Sequence, residues 1–109
     1  MDSEHIEQSK FVMWWRQSFP NVRIFAIPNG GLRNKTTAMK LKVEGVKRGV
    51  PDLFVPELLL WIEMKREKGG VLSPDQVDWR EYLEGIGHNF IVGNGFKDAQ
   101  EKASIFIKL

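Results

Sequence analysis

The stretch from Gly49 to Arg66, G-V-P-D-L-F-V-P-E-L-L-L-W-I-E-M-K-R, restricts the fold of this chain more than any other. Pro56-Glu57 separates two apolar runs, so the stretch reads as a hairpin of Leu53 to Val55 and Leu58 to Lys65. Side chains alternate between the faces of a strand. Glu63 and Lys65 therefore share one face, and Ile62 and Met64 the other. Closing the hairpin brings Asp52 and Glu63 together on one edge of the sheet. Like charges at that range repel, and one carboxylate is driven to keep its proton unless a cation neutralises the pair. The hairpin thus asks for a metal or a proton, with the positive charge of Lys65 alongside.

The remaining chain supplies the layers for such a sheet. Ser3 to Phe19 has helical spacing, with Ser3 as N-cap, Phe11, Val12, Trp14, Trp15 and Phe19 apolar, and Pro20-Asn21 as the stop. Val22 to Ile27 reads as a strand ending at the Pro28-Asn29-Gly30-Gly31 turn. A helix from Asn34 or Thr36 to Glu44 follows, closed by Gly45. Ser73-Pro74-Asp75-Gln76 opens another helix with a capping box, and Gly85 and Gly87 end it. Gln76, Trp79, Leu83 and Ile86 form the stripe expected to face the sheet. Asn89 to Val92 reads as a strand and Asp98 to Ile107 as a last helix. The order α, β, α, β, β, α, β, α implies an α/β fold, a mixed β-sheet flanked by helices. Trp14, Trp15, Trp61 and Trp79 each sit in an apolar run or stripe, which favours core positions over base-stacking platforms. His5 and His88 are isolated, and His88 beside glycines reads as an ordinary loop residue.

With 109 residues, 42% of them hydrophobic, the chain is expected to be one globular domain over residues 1–109. It has no cysteine, so disulfides, Cys-zinc sites and thiol nucleophiles are excluded, and any metal must sit on oxygen or imidazole ligands. No apolar run is long enough for a bilayer, and the N-terminus lacks the basic-then-apolar order of a signal peptide. A cytoplasmic protein without membrane partners is the expectation. Charge is unevenly spread. Between Asn29 and Val50 six cations (Arg33, Lys35, Lys40, Lys42, Lys47 and Arg48) face Glu44 alone, a local excess of +5 in a chain of net charge +2. Such a stretch is either a solvated helix face or the footprint of a phosphate-backbone binder. The two glycines at Gly30-Gly31 fit a plain turn or the close approach of a phosphate.

Pro51-Asp52 followed by Glu63-x-Lys65 resembles the signature of the PD-(D/E)xK nucleases. With P-N-G-G-x-R from Pro28 to Arg33 upstream and L-S-x-x-Q from Leu72 to Gln76 downstream, it resembles the VRR-NUC family, in particular its compact stand-alone members common in bacteriophage genomes. The resemblance runs from about Glu4 to Phe90. It implies the PD-(D/E)xK restriction-endonuclease-like fold and a structure-specific DNA endonuclease dependent on Mg²⁺ or Mn²⁺, acting as a homodimer on branched DNA such as four-way (Holliday) junctions. Asp52 and Glu63 would bind the metal with the Met64 carbonyl, and Lys65 would orient the attacking water or the phosphate. An acid on the first helix would join them. Glu4, which has the E-x-x-x-Q spacing to Gln8, is the first choice and Glu7 its rival. Gln76 would hold a ligand or water, although capping alone also explains it. Arg33, Lys35, Lys40 and Lys42 would contact DNA. The alternative is a catalytically silent nucleic-acid-binding module on the same fold.

Overall fold

The computed structural model describes residues 1–28 and 35–107. Its elements are α1 (Glu4–Ser18), β1 (Phe25–Ala26), α2 (Lys35–Val43), β2 (Leu53–Val55), β3 (Leu60–Lys65), α3 (Pro74–Gly85), β4 (Asn89–Asn94) and α4 (Phe96–Ser104). The four strands form one sheet in the order β1-β2-β3-β4. β1, β2 and β3 are antiparallel neighbours, whereas β4 runs parallel to β3, with α3 as the crossover. The expected mixed sheet with flanking helices is therefore present, in the expected order.

Alternation decides which face is packed. Leu53 and Val55 of β2 and Leu60, Ile62 and Met64 of β3 are all buried in one cluster with Phe11 and Trp15 of α1 and Ala99 and Ala103 of α4. Truncating Phe11 or Trp15 to Ala is a change of the kind that costs about 3–5 kcal/mol. Ser3 caps α1 by accepting the Ile6 N–H at its Oγ. The residues α1 buries are Glu7, Phe11 and Trp15, one turn apart. No helix of the described residues is long and apolar enough to cross a membrane.

Several boundaries differ from the sequence expectation. Ladder pairing in β1 is confined to Phe25 and Ala26, which oppose Phe54 and Leu53 of β2. Between β2 and β3, Pro56–Leu58 forms a 3-10 turn and Leu59 takes a left-handed conformation (φ 46°), so β3 begins at Leu60 rather than Leu58. α4 starts at Phe96, two residues before Asp98. The Phe96 N–H is accepted there by the Glu7 carboxylate. Ile86 is 53% exposed, so the sheet-facing stripe of α3 ends at Leu83. Of the four tryptophans, Trp15 is fully buried and Trp14 packs against the same cluster, but Trp61 and Trp79 lie outside it, half-buried. Alternation turns Trp61 away from the core that Leu60 and Ile62 enter. The residues Asn29 to Asn34, with the glycines of the turn and Arg33, lie outside the described residues.

Candidate active site

The face of the sheet opposite α1 and α4 carries Asp52, Glu63 and Lys65. Register places them: Leu53 opposes Ile62 and Phe54 opposes Trp61, so the next antiparallel step sets Asp52 opposite Glu63. The loop before β2 is fixed by Gly49, which has φ 83° and approaches the Asp75 backbone so closely that a Cβ would stand 2.8 Å from the Asp75 carbonyl carbon. Pro51 behind it is fully buried. Asp52 is thereby delivered to the start of β2, half-exposed, with its carbonyl accepting the Ile27 N–H at 2.8 Å and its Oδ2 accepting the Met64 N–H at 2.8 Å.

Glu63 is the unusual member. It is 2% exposed, and its Oε1 is buried with no hydrogen-bond partner among the described residues. Burial pushes its carboxyl up to about 9, and the hydrogen bond to Asp52 and the Asp52 charge push the same way. Lys65 acts in the opposite sense, and the Glu4 charge adds a smaller upward push. A buried carboxyl with an unused oxygen beside a second carboxylate is a donor set that a cation would neutralise. Among the described residues no three acidic or imidazole side chains gather closely enough to hold a metal by themselves. Two carboxylates supplemented by a backbone carbonyl and water suit Mg²⁺ or Mn²⁺, which accept oxygen ligands and retain part of their hydration shell.

The two acids of α1 have separate places. Glu4 is exposed and its charge is felt at Glu63. Glu7 is buried: its Oε2 accepts the Phe96 N–H at 3.1 Å, and its Oε1 lies 4.0 Å from Lys10 Nζ. Glu7 therefore neutralises the positive N-terminal end of α4. Gly95 makes room for it, since a Cβ at that position, where φ is 88°, would stand 2.5 Å from Glu7 Oε2. Gln76 completes the capping box of α3, its side-chain oxygen accepting the Ser73 N–H at 2.8 Å while Ser73 Oγ accepts its own N–H. Lys35, Lys40 and Lys42 are exposed on α2, which buries none of its residues.

Sequence reasoning missed an aromatic row on this same face. Phe25 opposes Phe54, Phe54 opposes Trp61 and Trp61 opposes Phe90, one residue from each strand. His88 joins them, its Nδ1 accepting the Trp61 indole N–H at 2.9 Å. The signal was the alternation itself, which sets Phe54 with Asp52 and Trp61 with Glu63.

Over its full length the chain is similar to a solved structure of a "VRR_NUC domain protein", with a TM-score of 0.84, 25% identity and coverage of 91% of that chain. No family model and no curated protein matches the chain.

Proposed function

We propose that this chain, whose fold is that of a VRR-NUC domain, is an endonuclease that hydrolyses DNA phosphodiesters with Mg²⁺ or Mn²⁺, acting as a homodimer on branched DNA such as four-way junctions. The observation that carries the reading is Glu63, a buried carboxyl with an unpartnered oxygen, opposite Asp52 and on the same face as Lys65. A bound divalent ion would supply charge neutralisation at the phosphoryl oxygens and an activated water.

The chain's own groups have distinct tasks in this reading. Asp52 and Glu63 would hold the ion with the Met64 carbonyl, Asp52 being kept in place by the Met64 N–H. The Lys65 ammonium orients the attacking water or contacts the scissile phosphate. Glu4 is the α1 acid whose charge reaches the site, whereas Glu7 is engaged at α4. Gln76 spends its carbonyl oxygen on the cap, so its amide nitrogen is the atom it would offer to a ligand or water.

Lys35, Lys40 and Lys42, with Arg33, would hold the phosphate backbone. Support for two copies comes from α2 itself, which leaves Met39 65% and Val43 86% exposed beside those lysines. An apolar strip that no other described residue covers fits a self-complementary contact, and two-fold symmetry would present two sites to two strands. The test is incubation with linear duplex, flap, splayed and four-way-junction DNA in Mg²⁺, Mn²⁺ or EDTA. Metal-dependent cutting concentrated on the branched substrates is expected. Intact DNA in every metal condition would overturn the nuclease reading.

A further inference from the structure

We infer that the aromatic row on the face of the sheet opposite α1 and α4 is a stacking platform for unpaired bases of the DNA strand being cut. The inference rests on the nuclease reading and goes beyond it. Register fixes the relation between the row and the carboxylates. Phe54 lies two residues after Asp52 on β2 and Trp61 two residues before Glu63 on β3, so the aromatic pair sits beside the carboxylate pair on one face, about 7 Å away. At about 3.4 Å per nucleotide in a stacked strand, that is roughly two nucleotides from a phosphate held at Asp52 and Glu63.

The rings form one packed cluster whose accessible part lies toward the edge strand β1, Phe90 at the other end being buried. Phe54 and Trp61 lie 4.2 Å apart between centroids at 33°, and Trp61 and His88 are nearly parallel at 10° and 6.3 Å. The indole N–H bond to His88 Nδ1 holds the two rings in that orientation. Phe54, Trp61 and His88 are half-buried, and Phe25 on the edge strand is 50% exposed. An edge Phe this open stabilises the fold little.

Charge identifies the occupant. One end of the row is closed by Arg80, whose guanidinium lies 5.5 Å over the Phe90 ring and whose Nε donates to Glu84 at 3.3 Å. At the other end, Arg23, two residues before Phe25, lines the groove at the sheet edge that Phe25 borders. Aromatic rings bracketed by guanidinium groups and set beside a phosphate-cleaving site match the combination that binds single-stranded nucleic acid, bases on the rings and backbone on the cations.

A splayed-arm DNA in which a single abasic site is stepped through the unpaired arm and the branch tests this. Binding is measured with the Asp52→Asn protein in Mg²⁺, so that the strand stays intact. Affinity should fall about 5- to 150-fold when the abasic site reaches one or two adjacent positions. Adding Phe25→Ala or Phe54→Leu, with folding checked by thermal melting, should weaken binding to the intact strand by a similar factor and erase the positional dip. A flat abasic series overturns the platform, and so does a Phe25→Ala protein that turns from dimer to monomer while the series stays flat, which would make the row a contact between copies. Cleavage by the wild-type protein on the same DNA reports separately on the nuclease reading. A positional dip without cleavage would sustain the platform and remove the nuclease.

Discussion

Asp52 Oδ2 accepts the Met64 N–H at 2.8 Å, so the carboxylate that opposes Glu63 is tied to the very strand that carries Glu63. That tie keeps the two acids side by side. An Asn at position 52 keeps an oxygen that can accept the same N–H, so Asp52→Asn removes charge while preserving shape. We expect it to reduce cleavage by roughly 10²-fold or more while folding is retained and DNA affinity changes only a few-fold. Single-turnover rates on a four-way junction measure this, and near wild-type turnover would exclude Asp52 from the chemistry.

The Glu63 carboxyl gives the metal-free protein a pH dependence of known sign. Its folded value of about 9 lies above the ordinary 4.5, so the folded state holds the proton more tightly than the unfolded chain does. This contribution to stability is fully present below about pH 4.5 and is lost as the pH rises through about 9. In EDTA, wild-type protein should therefore lose melting temperature across that window more steeply than Glu63→Gln, whose amide cannot ionise. Parallel melting curves for the two proteins would contradict the assignment.

Metal binding should show the same proton from the other side. Coordination needs the carboxylate, so loading an ion near neutral pH should release close to one proton per site and tighten as the pH rises. Calorimetric titration with Mn²⁺ in two buffers of different protonation enthalpy counts the protons. A buffer-independent heat would mean that Glu63 is not a ligand.

The hairpin and its two faces were legible in the sequence because strand alternation is local: Leu53, Ile62 and Met64 are in the core, while Asp52, Glu63 and Lys65 share the other face. The α3 capping box was legible for the same reason, being contained within four residues. Relations that depend on long-range register were hidden. Glu7 reaches the α4 N-terminus across 89 residues, and nothing near Glu7 in the chain announces that partner. The aromatic row needs three separate strand registers to be known before Phe25, Phe54, Trp61 and Phe90 fall into line. Trp61 looked like core because its neighbours Leu60 and Ile62 are core; the period of two sends it outward.

The two α1 acids should separate in experiment as they do in space. Glu7→Ala removes the acceptor for the Phe96 N–H at the start of α4 and should cost about 1 kcal/mol, lowering the melting temperature by roughly 4–8 °C. Glu4 is exposed, and Glu4→Gln should leave melting unchanged while lowering the cleavage rate through its charge at the site. Stability and rate measured on both variants give a crossed pattern. A Glu4→Gln protein with full activity would leave the metal site to Asp52, Glu63 and the Met64 carbonyl.

DNA affinity should carry the mark of α2. Lys35, Lys40 and Lys42 are exposed on a helix that buries nothing, so their ammonium groups are available to phosphates without any change in the fold. Each phosphate contact releases counterions, and log affinity should fall with log salt at about −0.9 per contact. A dimer that brings two such helices to one junction doubles the number of contacts and gives a slope that a single copy could not reach. Replacing Lys40 and Lys42 by Ala should flatten the slope by about 2 for a single copy and by about 4 for a dimer, and should weaken binding to all sequences alike, because phosphate contacts position the protein without reading bases. Sedimentation at micromolar protein, with and without the junction, gives the copy number independently. A monomer that cuts four-way junctions at full rate with first-order dependence on protein would remove the dimer and leave the chemistry of Asp52, Glu63 and Lys65 as it stands.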